Sequence, residues 1–173
     1  MTTASPRLDG PIAMTFTPVP AGFAELYERH YEAVFRAALR VTGNPADAQD
    51  VLQTVFLRIF RSDDDDAATW PVAYFRRAAV NAAVDLLRRR AVHAETLYDD
   101  RAPHAAVEQP LLLKEQLRRA VASLKNEDAT LFLLRHVEGL SIDELAGMFQ
   151  LEKNNVVVRL HRIRLRLQTE MQR

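Results

Sequence analysis

Arg77, Asn81, Asp85 and Arg88 follow one another at steps of four, four and three residues. On an α-helix this spacing sets them along one stripe. Guanidinium groups hold phosphates and carboxamides read base edges, so such a stripe can grip a nucleic acid. Ahead of it stand Phe56, Phe60, Trp70, Tyr74 and Phe75. Aromatic rings beside a basic helix can stack on unpaired bases while arginines hold the backbone. Phe56 and Phe75 read as core, whereas Trp70 and Tyr74 flank a loop and are the candidates for base contact.

A second group lies near the C-terminus. Ser141-Ile142-Asp143-Glu144 has the form of a capping box opening a short helix that ends near Phe149. A turn and a longer amphipathic helix follow, and residues 141–168 together have the proportions of a helix-turn-helix. Ala146 sits where the two helices must approach closely. The longer helix has Val156, Leu160, Ile163 and Leu167 on its apolar stripe, and Asn154, Asn155, Arg159, Arg162 and Arg166 on its other faces. Amides near its start can read base edges and the arginines can bind phosphate. An ordinary helical hairpin with a solvated basic face fits the same pattern, so pattern alone leaves both readings open.

A third group runs from Asp47 to Phe60. Its apolar residues suit a helix in a bundle, and its polar face carries Asp50, Gln53 and Arg58. Signatures of catalysis are missing: there is no Gly-rich phosphate loop and no nucleophile elbow. The five histidines are scattered, with no two spaced to share a metal on one helix. No enzymatic activity, cofactor or metal is expected.

These groups need helices to position them. With five glycines and long runs of alanine, leucine and arginine, the chain reads as all-α. Residues 1–20 hold four prolines without a period and read as a flexible leader. A helix is expected from about 21 to 42, with Phe23, Tyr27, His30, Val34, Ala38 and Val41 on its apolar stripe. Gly43-Asn44-Pro45 stops it and opens a second helix that runs to about Arg61. Asp63–Asp66 repel one another and mark a loop. A third helix follows from about 71 to 91, ending in Arg88-Arg89-Arg90. The polar segment 92–110 reads as a flexible linker. Residues 111–173 form the second unit, with helices at about 111–123 and 127–138, a Gly139 cap, and the helix-turn-helix. The expected architecture is two small helical domains, 21–91 and 111–173, joined by that linker.

Composition tests this reading. The chain of 173 residues has 23 Lys+Arg and 23 Asp+Glu, a formal net charge of zero, which at face value opposes DNA binding. The distribution says otherwise. Residues 76–90 carry five arginines against Asp85, a net +4, and residues 153–173 carry six basic groups against Glu170, a net +5. Residues 62–75 are −4, and 91–110 and 129–152 are −3 each. Such a chain has little electrostatic grip on DNA when alone and gains affinity in the company of a larger assembly. There is no cysteine, which fits a reducing cytoplasm. No apolar run approaches the roughly 18 residues needed to span a bilayer, so no membrane insertion is expected.

Residues Leu26 to Arg90 resemble the promoter-melting domain of the extracytoplasmic-function sigma factors of bacterial RNA polymerase. The resemblance is carried by Leu26-Tyr27-Glu28-Arg29-His30-Tyr31 and Thr42-Gly43-Asn44, then by Asp47-Ala48-Gln49-Asp50 with Gln53 and Phe56-Leu57-Arg58. Asn81, Asp85 and Arg88-Arg89 complete it. Residues 124–167 resemble the family's second domain through Leu133 to Ser141, Glu144-Leu145-Ala146 and Arg159-Leu160-His161-Arg162. The resemblance implies a transcription initiation factor that directs core polymerase to promoters. It implies that Asp47, Asp50, Gln53, Phe56 and Arg58 meet the clamp helices of the polymerase β′ subunit. It implies that Trp70, Tyr74, Arg77, Asn81, Asp85, Arg88 and Arg89, with the loop 62–70, recognise and open the minus-ten element. Asn154, Asn155, Val157, Val158, Arg159, Arg162 and Arg166 are then the minus-thirty-five residues, on a domain that also touches the β flap. The linker is expected to thread towards the active-site cleft, and an anti-sigma factor is expected as regulator.

Some positions depart from the family pattern. Gln49 and Thr54 stand where glutamates are usual, and Val80 replaces a common arginine. In the reading helix, Asn154-Asn155-Val156-Val157-Val158-Arg159 stands where Gly-Thr-Val-Lys-Ser-Arg is frequent. Valine can touch a thymine methyl but cannot hydrogen-bond. Gln150 replaces the usual turn glycine and is expected to strain the turn. Two rival readings remain: a stand-alone helix-turn-helix regulator, and a sigma-like protein-interaction module.

Overall fold

A computed structural model describes residues 22–62, 69–97 and 109–172. The leader, the aspartate run and the middle of the expected linker lie outside the described residues. Within them the chain is helical, with α1 at Phe23–Thr42, α2 at Pro45–Arg61, α3 at Val72–Leu97, α4 at Gln109–Ser123, α5 at Asn126–His136, α6 at Ile142–Phe149 and α7 at Lys153–Met171.

Local chemistry sets most of these ends. Gly43 closes α1 in the left-handed region at φ 68°, and its N–H donates to the Leu39 carbonyl at 2.8 Å. A side chain here is strained by that φ and would also displace the Arg118 guanidinium. Asn44 caps α2, its side chain accepting from the Ala46 N–H at 2.8 Å, and Pro45 stands at the first helical position, where no N–H is needed. At the end of α5 the Leu140 N–H reaches back six residues to the Leu134 carbonyl, with Gly139 at φ 73°. The expected capping box opens α6: the Ser141 hydroxyl accepts from the Glu144 N–H, and Glu144 accepts from the Ser141 N–H at 2.7 Å.

Two ends differ from expectation. α3 continues six residues past 91, to Leu97. No glycine or proline interrupts residues 72–97, so the basic run does not end the helix. α4 begins at Gln109 rather than 111, with Pro110 in its first turn, where a missing N–H costs nothing.

The expected apolar faces are buried at His30, Val34, Ala38 and Val41 of α1, at Val51, Leu52, Val55 and Ile59 of α2, and at Val156, Leu160, Ile163 and Leu167 of α7, while Phe23 and Tyr27 are half-buried and Leu26, outside the expected stripe, is buried. α3 packs against α1 and α2 on one side and α4 and α5 on the other. It therefore buries residues around much of its circumference: Phe75, Ala79, Val80, Ala82, Ala83 and Val84. Alanines at three of these positions let both neighbours approach. Leu131, Leu134, Leu145 and Val156 of α5 to α7 belong to the same continuous core.

His30 is the polar member of the α1 stripe. Its ring stacks on Phe75 at 3.8 Å between centroids and 8° between planes. Neither ring nitrogen has a hydrogen-bond partner among the described residues. Burial, and then the nearby Arg29, hold its pKa below the usual value of 6.5. Folding therefore favours the neutral ring. Its contribution to stability is complete above the unfolded value near 6.5 and is lost as the pH falls towards the folded value. The melting temperature is expected to drop between pH 7 and pH 5, and to drop less in His30→Leu. Thermal unfolding across that range checks it; equal slopes would show that other groups set the acid response.

Candidate nucleic-acid interface

The α3 stripe forms as its spacing requires; its residues are half-buried, and Arg77, Asn81 and Arg88 are engaged by the second unit. Arg77 Nη1 donates to the Met148 carbonyl at 2.7 Å, and its guanidinium lies 4.5 Å from the centre of the Phe149 ring. Asn81 Oδ1 accepts from the Thr130 hydroxyl. Arg88 Nε donates to the Ala122 carbonyl at 3.1 Å, and its Nη2 donates to the Leu124 carbonyl. Met148 lies in the last turn of α6, and Ala122 and Leu124 at the end of α4. Carbonyls at helix C-termini lack intrahelical donors and carry the negative end of the helix dipole. They take the guanidinium groups as phosphates would.

The open end of the stripe is aromatic. Trp70 is half-buried and Tyr74 exposed, their rings 4.3 Å apart and inclined at 55°. A groove of about 540 Å³ runs between them and Arg58, Ile59, Arg77 and Asn81. A smaller groove of about 410 Å³ holds Asp85 with Thr54, Arg58, Arg88 and Arg89. Arg89 is exposed.

In the second unit, α6 and α7 meet at a tight turn over Gln150–Glu152. Gln150 adopts φ 54° and ψ 44°, left-handed for a side chain that gains nothing there. Its N–H and that of Leu151 close the end of α6. Beyond the turn Asn154, Asn155, Val157, Val158, Arg162 and Arg166 are exposed.

A family model for sigma-70 region 2 matches residues 26–92, and one for sigma-70 region 4 matches residues 114–167. The chain is 30% identical over 145 residues to the RNA polymerase sigma factor CarQ of Myxococcus xanthus, covering 81% of this chain and 83% of the relative. This chain belongs to the extracytoplasmic-function sigma factors of RNA polymerase. It is 31% identical over 151 residues to the ECF RNA polymerase sigma factor SigE of Mycolicibacterium smegmatis, covering 83% of this chain and 59% of that one. The RNA polymerase sigma-E factor of Streptomyces avermitilis is 29% identical over 156 residues, covering 87% of this chain and 85% of the relative.

The sigma factor does not expose every residue that the sequence nominated. Asp47 is buried at 2% exposure, and one carboxylate oxygen accepts from Arg90 of α3. It sits in the first turn of α2, where a carboxylate also complements the helix dipole. Phe56 is buried against Tyr27, with 4.6 Å between ring centroids. Both residues shape the bundle rather than offer a surface. The exposed face of α2 is instead Asp50, Gln53, Leu57 and Arg58. Arg159 is withdrawn in a similar way: its Nε donates to Asp128 at 2.6 Å and its Nη2 to Glu127 at 2.9 Å.

Other residues of consequence escaped sequence reasoning. Glu138, whose side chain is 1% exposed, lies 3.0 Å from Arg40 and 3.8 Å from Arg76, linking the two units. Arg118 Nε donates to the Val41 carbonyl at 3.3 Å, at the end of α1. Thr130 holds Asn81. The only sequence trace of these links is Gly43, which leaves room for Arg118. Among the described residues there is no group of three or more His, Asp or Glu able to hold a metal, and no helix long and apolar enough to cross a membrane.

The turn that sets α7 carries a testable cost. Replacing Gln150 by glycine removes the left-handed penalty and is expected to stabilise the protein by about 1 kcal/mol. Urea unfolding of Gln150→Gly against wild type measures it, and a loss of stability would show that the glutamine side chain compensates its backbone.

Proposed function

We propose that this sigma factor binds core RNA polymerase first and reaches promoter DNA second. The observation that carries the order is the contrast between two faces of one domain. The α2 face of Asp50, Gln53, Leu57 and Arg58 is open, while Arg77, Asn81 and Arg88 on α3 are held by the second unit. Recruitment through α2 needs no rearrangement. Capture of the minus-ten element by α3 needs the units to part, so that phosphates replace the helix-end carbonyls on the arginines. The Trp70–Tyr74 groove then offers stacking to an unpaired base, offsetting the few kcal/mol of unstacking. The helix-turn-helix anchors the duplex upstream. Domains ending with α3 at Leu97 and resuming with α4 at Gln109, rather than at the expected bounds 21–91 and 111–173 with linker 92–110, are joined through residues 98–108, and this connection would allow the separation. Polymerase, through its β′ clamp helices and β flap, and promoter DNA are the partners of this reading, with an anti-sigma regulator in the cytoplasm. The bond-making chemistry stays with polymerase.

Transcription by purified core enzyme on promoters selected from a random library tests the reading, and no stimulation on any template would refute it. Asn81→Ala is expected to impair open-complex formation while leaving polymerase affinity near wild type; equal loss of both would dismiss the division of roles. Loosening the units by Glu138→Ala with Thr130→Val is expected to raise the affinity of the free sigma factor for single-stranded minus-ten DNA about tenfold. Fluorescence anisotropy reads this, and an unchanged affinity would show that the second unit does not compete with DNA.

A further inference from the structure

The buried stripe of α7 is Val156, Leu160, Ile163 and Leu167. Val157 and Val158 stand off that stripe, 52% and 46% exposed. Two adjacent exposed valines contribute nothing to the helix, since valine has a lower helix propensity than the alanine, lysine or arginine that usually fill such positions. Their surroundings are polar and cationic. Asn154, Asn155, Arg162 and Arg166 are exposed nearby. A groove of about 550 Å³ beside Val158 is lined by Asn155, Lys125, Arg162 and Arg166, and by Arg159 with its partner Asp128.

We propose that Val157 and Val158 form a methyl-reading patch that selects thymine in the duplex element under α7. This rests on the sigma-factor reading and extends it to the chemistry of the bases chosen. In the major groove the C5 methyl of thymine is the apolar feature that base pairs present; the other edge groups are donors and acceptors. Valines laid on a G·C pair strip water from those groups and return no hydrogen bond, which is unfavourable. Laid on a thymine methyl they bury apolar surface. Arg159 does not compete for the position, because Glu127 and Asp128 hold its guanidinium to the side. The basic groove next to Val158 suits the phosphate backbone while the valines face the bases. A protein partner covering the same valines would also have to satisfy Arg162 and Arg166, which DNA does through phosphates already in place.

The test uses holoenzyme reconstituted with the full chain and promoters it selects from a random library. Each thymine of the upstream element is replaced in turn by deoxyuridine, which lacks only the methyl. Burial of one methyl is worth about 0.8 kcal/mol, so affinity is expected to fall about fourfold at one or two positions. In Val157→Ala/Val158→Ala, which keeps a good helix former at both sites, thymine and uracil are expected to bind alike. Uracil tolerated at every position by the wild type would overturn the proposal and leave the valines to a protein partner. A methyl preference that survives in the double variant would also overturn it. A holoenzyme that selects no promoter overturns the sigma reading itself, whereas selected promoters without methyl preference overturn this inference alone.

Discussion

The structure turns on a competition for arginine. A helix C-terminus leaves up to four carbonyls without intrahelical donors, all at the negative end of the dipole. In this protein long-range guanidinium contacts fall on three such ends. Arg118 reaches the end of α1, Arg88 the end of α4 and Arg77 the end of α6. Each bond satisfies a carbonyl and joins one unit to the other. A guanidinium that can serve a helix end can equally serve a phosphate, because both present oxygen acceptors with negative charge. Under the proposed function, the contacts of Arg77 and Arg88 are the ones that promoter DNA would have to release.

Electrostatics gain detail from the same contacts. Zero net charge conceals two basic segments, but the fold already engages much of their charge. Arg90 is paired with Asp47, Arg76 and Arg40 flank Glu138, and Arg159 lies between Glu127 and Asp128. Arg89 of α3 and Arg162 and Arg166 of α7 remain exposed. A sigma factor arranged so has weak pull on random DNA, where affinity scales with the phosphates neutralised.

Legibility in the sequence followed the range of each interaction. The Gly43 stop, the Asn44-Pro45 start, the Gly139 cap and the Ser141–Glu144 box involve partners within a few residues, and the chain declares them. The apolar faces of α1, α2 and α7 follow from period alone. The basic run at 88–90 suggests an ending for α3, yet nothing in residues 92–97 breaks a helix and α3 runs on to Leu97. The family resemblance puts Asp47 and Phe56 with Asp50, Gln53 and Arg58 on a surface, whereas period alone reads Phe56 as core; Asp47 is buried with Arg90, 43 residues away.

Composition, the capped helix ends, the helix-turn-helix and family membership were thus determined by the sequence by itself, since they depend on local hydrogen bonds, on side-chain period and on motif order. Tertiary structure alone decided which polar groups are free. Arg77 meets a carbonyl 71 residues away and Arg88 one 34 residues away. A long guanidinium side chain accepts any oxygen within reach, whether phosphate, carboxylate or carbonyl, and its own sequence neighbourhood does not say which. Only the packing of α4, α5 and α6 against α3 brings those oxygens near, and so leaves Arg77, Asn81 and Arg88 half-buried with partners far away in sequence.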